Sequence, residues 1–457
     1  MMNNDSQIDL QAAVSPETLK PKLAKVRGLA LGAIGAGLLL TIVSFFLKGG
    51  LNGGLNSILQ SYLWAYLFWF GLTLGSLAFM LLHSTVGGGW GFVIRRSLEA
   101  GSRTFPVMAV LAIPIVFSVF MKDSSIYEWA HKSMQTDPFV SKKLGYLNPE
   151  FFAIRTVFYF VVWGVLITLI NKWSSVFDER NDPKVADKLN YLGAAGILVH
   201  VLVVSFWSFD WAMSLEPHWF SSIYGLLFLV GQGLSTLALM NVINGTIARS
   251  LPIMKLVPDR YFRDLGNLMM AIVLVWAYVT FSQYLIQYSG NLAEEVGWFV
   301  KRGSGGWGIL GISLIFLHFA LPFAVLLSSL MKTRPQNTAK IAAFILFMRL
   351  VDLMYLTRPA WTENKTLLGS LYFSDLGLLL LLGGIWFFIW STEIAKRPLL
   401  MLHDPRFVDH WKVHEHERLH GEPTEEIAYA VATKSQGEQE TGKSAKSVSG
   451  GVAEVTS

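Results

Sequence analysis

Four ionisable side chains stand out by their depth inside long apolar runs of the sequence, where a charge is costly unless it is paired or functional. They are His200, His318, Arg349 and Asp352. Arg349 and Asp352 are three residues apart, so they lie on one face of a helix and can form an ion pair. Such a pair either fixes the helix against its neighbours or takes part in proton transfer, and the sequence leaves both interpretations open.

Three roles are open to the two histidines. Each can be a neutral imidazole that is hydrogen-bonded between helices, or a member of a proton relay, since histidine titrates near neutral pH. The third role, axial ligation of a haem, requires His200 and His318 to face one cavity at matched depth. Spacing in the sequence does not decide between these roles.

The segment 209–220 concentrates ionisable residues among aromatic residues that favour a membrane interface. It contains Asp210, Glu216 and His218. Pro217 suits the first turn of a helix, and Glu216 beside that turn would favour the positive end of the helix dipole. The functional alternative is a proton exit or a partner-docking surface at the periplasmic rim.

Titratable and hydrogen-bonding groups at graded depth are what proton transfer through a low-dielectric region requires. The predicted proton path begins with His83 on the cytoplasmic side. It continues near the centre of the membrane with His200, His318 and Arg349. Toward the periplasmic side its members are Asp352, Asp375, Gln287, Asp210 and Glu216. Gln287 shares a helical stripe with Thr280, Gln283 and Tyr284, which either holds water or joins helices. Because the members come from at least six helices, spacing alone does not establish that they face one another.

Apolar segments long enough to cross a bilayer must position these groups. The 457 residues are 53% hydrophobic and only 15% charged. A spanning helix needs about 20 apolar residues. Apolar runs between charged residues give ten predicted spans, at 28–47, 60–82, 104–121, 151–171, 189–209, 219–247, 266–289, 306–331, 341–356 and 373–392. The sequence therefore predicts an all-α membrane protein with about ten transmembrane helices.

Positive charges are concentrated in alternate loops, those after the second, fourth, sixth and eighth spans. They are Arg95, Arg96 and Arg103, then Lys172, Arg180, Lys184 and Lys188, then Arg249, Lys255, Arg260 and Arg263, and finally Lys332, Arg334 and Lys340. By the positive-inside rule these loops and both termini face the cytoplasm. The net charge of +5 is thus a consequence of membrane topology, and no nucleic-acid partner is expected.

The chain divides into four predicted segments. Residues 1–25 are a polar cytoplasmic segment without a cleavable signal peptide, and residues 26–395 are the polytopic transmembrane domain. Residues 396–421 are a cytoplasmic juxtamembrane segment, and residues 422–457 are predicted to be disordered because they contain few aromatic residues. The juxtamembrane segment carries a histidine-rich patch, which is either a metal site or a solvated helix that docks on a partner, and we favour the second. Its members are His403, His410, His414, His416 and His420.

Cysteine is absent from the sequence. Its absence removes disulfides, thiolate ligation of zinc or iron–sulfur clusters, and covalent haem attachment through a Cys-x-x-Cys-His motif. We therefore predict that this chain binds no redox cofactor or metal itself.

Three unusual runs carry a family resemblance: residues 209–225, residues 264–292 followed by Glu294 and Glu295, and residues 403–406. Together they resemble the second NrfD/polysulfide-reductase-like integral membrane subunit of alternative complex III, over roughly residues 25 to 410. The resemblance implies a pair of four-helix bundles plus flanking helices in a bacterial inner membrane. It also implies a quinol oxidoreductase that passes electrons to cytochrome c or another periplasmic acceptor.

The same resemblance implies a set of partners. They are a sister NrfD-like membrane subunit, an iron–sulfur subunit, and multihaem and monohaem cytochrome c subunits, so that haem c and the iron–sulfur clusters are expected in partner subunits. Quinol oxidation is expected in the sister subunit, and this chain would be structural and proton-conducting, reaching the quinol pool only through the complex. Lipids are the remaining expected partner.

Two other functions stay open. A secondary transporter would use Arg349, Asp352 and the histidines to bind substrate or coupling ions, and would turn over solute as a separate chain or homo-oligomer. A haem-b quinol-oxidising subunit would show a haem absorption spectrum. Co-purification with haem and iron–sulfur subunits distinguishes the complex from the transporter.

Overall fold

Apolar runs fold as helices in a membrane because only a helix or a closed barrel satisfies every backbone N–H and C=O group in hydrocarbon. The computed structural model describes residues 15–50, 53–121, 126–247, 257–361, 366–401, 403–404 and 406–407, and it contains no strand in these ranges. In chain order its α-helices are α1 (Lys20–Leu47), α2 (Gly54–Val86), α3 (Gly89–Ser102), α4 (Phe105–Val110), α5 (Ile113–Val119), α6 (Pro149–Ser174), α7 (Pro183–Trp211), α8 (Tyr224–Ile247), α9 (Asp259–Gly290), α10 (Ala293–Gly303), α11 (Trp307–Ser313), α12 (Leu321–Leu327), α13 (Ser329–Thr333), α14 (Pro335–Thr357) and α15 (Phe373–Ile394). A π-helical turn, Leu314–Ala320, joins α11 to α12.

Nine helical runs of the described chain are long and apolar enough to cross a membrane. They are α1, α2, the run of α3 to α5, α6, α7, α8, α9, the run of α11 and α12, and α15. Helix α14 is more polar because it carries Arg349 and Asp352, but its 23 residues also reach the length of a span. The prediction of an all-α membrane protein with about ten helices is confirmed.

Polar residues and prolines mark where α6 and α7 begin. The side chain of Asn148 accepts a hydrogen bond from the backbone N–H of Phe151, and Pro149 takes the first position of α6. Asp182 caps α7 in the same way through the N–H of Lys184, again with a proline at the first position. Such caps satisfy backbone N–H groups that have no partner within the helix. They set where both helices start, and therefore which side chains reach the interior.

The spanning helices pack in two groups of four. The first group is α2, the α3–α5 run, α6 and α7; the second is α8, α9, the α11–α12 run and α14. Helix α8 contacts α2 and α7 and so joins the groups, while α1 and α15 pack on each other and on α2. The most apolar part of α2 is 83% buried and that of α1 only 17%, so α2 lies at the centre and α1 at the edge.

Glycines bring α1 and α15 into close contact. A Cβ atom on Gly37 would lie 2.5 Å from the carbonyl oxygen of Gly377, and one on Gly384 would lie 2.6 Å from that of Ala30. Lipid tails are as apolar as the helix surfaces, so close van der Waals packing is a main source of helix association in a membrane. The two flanking helices are thereby held as a pair.

The third crossing begins earlier than the sequence indicated. The apolar run predicted at 104–121 is preceded by helix α3, and α3 is connected to α2 by only two glycines with φ of 71° and 94°. Arg95 and Arg96 therefore lie on a buried helix, and the prediction that they belong to a cation-rich loop is wrong. The carboxylate of Glu99 accepts hydrogen bonds from both arginines, which offsets the cost of burying them.

Candidate functional site

The predicted Arg349–Asp352 pair forms inside the second helix group. The two side chains are only 4% and 5% exposed, and the guanidinium donates to Oδ2 of Asp352. Trp276 of α9 donates its indole N–H to the same oxygen over 3.1 Å. On the opposite side, α8 contributes Gly231, where a Cβ atom would overlap the guanidinium of Arg349. Three helices thus close around the pair, and its burial is tolerated because each charge has its partner and the carboxylate has a second donor.

His318 lies in the π-helical turn beside this pair. Its ring centroid is 4.3 Å from that of Trp276, with 76° between the ring planes. The turn has a local cause, because Pro322 has no N–H and its ring would collide with the carbonyl four residues earlier, which belongs to His318. The backbone widens there, and the N–H of Leu321 donates to the carbonyl of Phe316 five residues back. Such π turns occur frequently at functional sites.

The imidazole of His318 is buried without hydrogen bonds. Neither ring nitrogen has a partner within the part of the chain that the structure describes, and the residue has no exposed surface. A buried polar group without a partner costs on the order of 1–3 kcal/mol. A water molecule or a ligand group that hydrogen-bonds to either nitrogen would reduce that cost. His318 is therefore able to act as a proton acceptor next to the tryptophan that holds Asp352.

Three carboxylates of the predicted path lie at one end of the helix bundle, which we call the acidic end, and each is paired with an arginine. They are Asp210, Glu216 and Asp375. Asp210 of α7 accepts two hydrogen bonds from Arg155 of α6, over 2.8 and 3.0 Å, and a third from the hydroxyl of Tyr159 over 2.7 Å. This bidentate ion pair between Arg155 and Asp210 holds α6 against α7.

Arg302 of α10 binds Glu216 and ties the α7–α8 connection to α14. Its Nη1 donates to Oε1 of Glu216 over 3.0 Å, while Nε and Nη2 donate to the backbone carbonyls of Tyr355 and Leu356 over 3.0 and 2.7 Å. The ring of Trp298 covers the guanidinium at 3.5 Å. The small cavity beside Glu216 has no room for a water molecule. Glu216 is thereby held in an ion pair, with no room for internal water beside it.

Asp375 stands at the start of α15 and is held by three groups. Arg358 and Ser61 both donate to its Oδ1, the hydroxyl over 2.6 Å, and the backbone N–H of Tyr372 donates to Oδ2 over 2.8 Å. Ser61 belongs to α2, and Arg358 directly follows α14. Asp375 therefore links a flanking helix to both helix groups.

Tyr224 lies between the acidic end and the central pair. It is buried at the start of α8 and lines the cavity beside Glu216. Gly231, which faces the guanidinium of Arg349, lies two turns further along the same helix, about 10 Å away. A hydroxyl both donates and accepts hydrogen bonds, so Tyr224 is a candidate for linking the two sites.

Three other members of the predicted path lie apart from the central pair. Nε2 of His83 is 3.1 Å from the backbone carbonyl five residues further along the chain. His200 of α7 packs against Trp163 of α6, and neither of its ring nitrogens has a hydrogen-bond partner among the described residues. Gln287 accepts a hydrogen bond from the indole N–H of Trp219 over 3.4 Å, which favours a helix-joining role for this glutamine.

Sequence reasoning missed the three arginines that hold the carboxylates of the acidic end. Arg155 lies within the predicted span 151–171, so the rule that identified Arg349 as a buried charge also applies to it. Arg302 and Arg358 lie just outside the predicted spans, where no argument from depth applied. The aromatic residues of the site carried no signal, since such residues are common in membrane helices.

Metal ligands are not clustered in the described ranges, where no group of three or more His, Cys, Asp or Glu side chains could hold an ion. Of the histidine-rich patch only His403 belongs to those ranges, and the other four members lie outside the described residues.

Neither protein-family models nor curated proteins give a relative of this chain. No protein-family model matches the chain, and no curated protein matches it significantly. Its class is therefore defined by the fold and the site. It is a multi-pass all-α membrane protein with a buried arginine–aspartate pair, and the histidine beside that pair has no hydrogen-bond partner among the described residues.

Proposed function

We propose that this chain is a proton-conducting membrane subunit of a bacterial quinol:electron-acceptor oxidoreductase of the alternative complex III type. The observation that carries the proposal is the central site, in which the buried pair of Arg349 and Asp352 adjoins the unpartnered His318. A carboxylate and an imidazole in one helix group supply two protonatable groups inside a membrane protein. The class of complex rests on the sequence resemblance.

The proposed proton path runs from His318 to Asp352 and on through Tyr224 to Glu216. Both carboxylates on this path are held in ion pairs, Asp352 with Arg349 and Glu216 with Arg302, and the cavity beside Glu216 has no room for water. Conduction therefore requires the pair of Glu216 and Arg302 to open, which would admit water and expose the carboxylate. This pair is the proposed gate of the path.

The proposal assigns the redox chemistry to partner chains. Quinol oxidation lies in a sister NrfD-like subunit, the clusters lie in an iron–sulfur subunit, and haem c lies in cytochrome subunits. The complex resides in the bacterial inner membrane, and both termini of this chain face the cytoplasm. The cation-rich loops after the fourth, sixth and eighth predicted spans support this orientation.

Purification of the full chain from native membranes in a mild detergent tests the assignment to a complex. The expected result is a preparation with haem c absorption and an iron–sulfur subunit at fixed stoichiometry, identified by mass spectrometry. A chain that purifies alone, without haem or iron, would refute it.

The variant His318→Phe tests the proton path in reconstituted vesicles. Phenylalanine keeps an aromatic ring against Trp276 but removes both ring nitrogens, so we expect normal assembly and a loss of proton uptake of at least about tenfold. The matched control is His218→Phe, which removes a histidine that is half exposed in the α7–α8 connection, and its uptake should be unchanged. Normal uptake by His318→Phe would remove His318 from the path.

One observation favours a second candidate, a secondary transporter. The helical run that carries His318 is interrupted by the π turn and again at Ser328, which is not helical. Transporters bind substrates at such interruptions. Solute uptake by the chain alone in vesicles would support this alternative, and co-purification with haem subunits would contradict it.

A further inference from the structure

A groove on the outside of the bundle lies where α6 meets the α3–α4 junction and the end of α15. Its volume is about 900 Å³. It is separate from the central site, because it is formed by the first helix group and a flanking helix. The lining divides into a cationic end and an apolar wall. The lining residues are Arg103, Phe105, Pro106, Val161, Gly164 and Val165, then Ile167, Thr168, Leu169, Asn171 and Lys172, and finally Glu393 and Arg397.

The cationic end carries three cations and one carboxylate. Arg103 donates to Asn171 over 3.0 Å and lies 3.6 Å from Glu393, so its charge is partly compensated. Lys172 is exposed at the end of α6. Nη1 of Arg397 is buried and lies 3.7 Å from carboxylate oxygens of Glu99 and Asp178, while 22% of the side chain remains exposed. The three lining cations outnumber the single lining carboxylate, so the groove end has a net positive charge, and the exposed Lys172 is available to an anion.

The apolar wall runs along α6 away from these cations. Val161 and Val165 are 57% and 52% exposed, which places them on the outer, lipid-facing surface of the bundle. Gly164 has no side chain, which deepens the groove at this point, and the ring of Phe105 is its nearest neighbour there. From Val161 to Lys172 the helix rises about 16 Å, at 1.5 Å per residue, which is comparable to most of one bilayer leaflet.

We infer that this groove binds an anionic phospholipid, with its phosphate between Lys172 and Arg397 and one acyl chain along the wall of α6. A soluble anion would use only the cationic end, and a neutral lipid would leave the net positive charge of that end uncompensated. The cationic end is opposite the acidic end, on the side that the positive-inside rule assigns to the cytoplasm. Basic pockets between membrane helices on that side bind anionic headgroups.

Lipid titration of the full chain in detergent, followed by native mass spectrometry, tests the site. Dioleoyl phosphatidylglycerol and dioleoyl phosphatidylcholine are the two probes. The wild-type chain should bind phosphatidylglycerol more tightly than phosphatidylcholine. The variant Lys172→Gln/Arg397→Gln should lose about 30-fold in affinity for phosphatidylglycerol, because each cation removed costs about fivefold. The charge control is Lys188→Gln, which removes an exposed lysine of α7 and should change nothing.

The variant Gly164→Leu tests the apolar wall and leaves the charges in place. A Cβ atom at Gly164 would lie 3.5 Å from the ring of Phe105, so the backbone accepts the change while the longer side chain fills the groove. We expect loss of phosphatidylglycerol binding with unchanged thermal stability. The matched control is Gly35→Leu on α1, where the glycine is exposed and has no neighbour within 4 Å.

Three outcomes would overturn the inference. They are equal affinity for the two lipids, equal binding by Gly164→Leu and Gly35→Leu, and full displacement of phosphatidylglycerol by millimolar inorganic phosphate. The last result would mean that the cationic end binds a soluble anion and the wall contributes nothing. If Lys172→Gln/Arg397→Gln fails to fold, the single variant Lys172→Gln and the glycine pair still decide the question.

Discussion

Variants of the buried pair of Arg349 and Asp352 can distinguish its contribution to stability from its role in proton transfer. In Asp352→Asn the acceptor for the indole N–H of Trp276 remains, but the guanidinium loses its counter-charge while 4% exposed. Removing one partner of a buried ion pair costs about 3–5 kcal/mol. We expect that loss in the free energy of unfolding, together with loss of proton uptake by the molecules that remain folded.

The double variant Arg349→Met/Asp352→Leu isolates the pair. It replaces both charges with apolar side chains, and such replacement of a buried ion pair is often neutral or stabilising. We therefore expect its free energy of unfolding to return to within about 1–2 kcal/mol of the wild-type value, while proton uptake stays absent. Asp187→Asn, at an exposed carboxylate of α7, is the control and should change stability by less than about 0.5 kcal/mol.

Unfolding in detergent, followed by tryptophan fluorescence, measures the first quantity, and proton uptake in vesicles at matched protein content measures the second. Wild-type stability in Asp352→Asn would show that the contact with Arg349 contributes little energy. Proton uptake by the double variant would eliminate Asp352 as a relay, and the pair would then be purely structural.

Three further predictions concern packing, pH and topology. Gly231→Ala should lower thermal stability because its Cβ atom overlaps the guanidinium of the central pair, whereas Gly233→Ala on the same helix, with no neighbour within 4 Å, should be neutral or slightly stabilising. The pKa of Asp137 is lowered by the backbone N–H of Val140 and by the side chain of His218. The ionised carboxylate therefore stabilises the fold at pH values above its ordinary pKa of 3.8, and this contribution is lost as the pH falls through the lowered pKa. Pepsin should cut the segment before α6 faster as the pH drops below about 3.8, and Asp137→Asn should remove this dependence. A cleavage rate of the wild-type chain that does not depend on pH would contradict the prediction. Reporter fusions should place the α7–α8 connection in the periplasm, and a cytoplasmic signal there would reverse the proposed path.

The helices could be predicted from the sequence because their cause is local. A run of about 20 apolar residues in lipid has to satisfy its backbone hydrogen bonds within itself, so the ten apolar runs appear as helices. The central ion pair follows for the same reason, since three residues along a helix bring Arg349 and Asp352 to one face. The buried position of Arg95 was mispredicted, because its local surroundings have the composition of a loop and its burial depends on pairing with Glu99 within a packed bundle.

Only the tertiary structure decided which charges meet across helices. Arg155 and Asp210 are 55 residues apart, and Arg302 and Glu216 are 86 residues apart. Nothing in their local spacing selects these partners, because helix packing is set by side-chain shape over whole helix faces. The same holds for His318, whose local sequence explains the π turn at the following proline but not the tryptophan ring beside it. Local sequence therefore determined the helices and their charged faces, and the packing of the two helix groups determined which of those faces became a site.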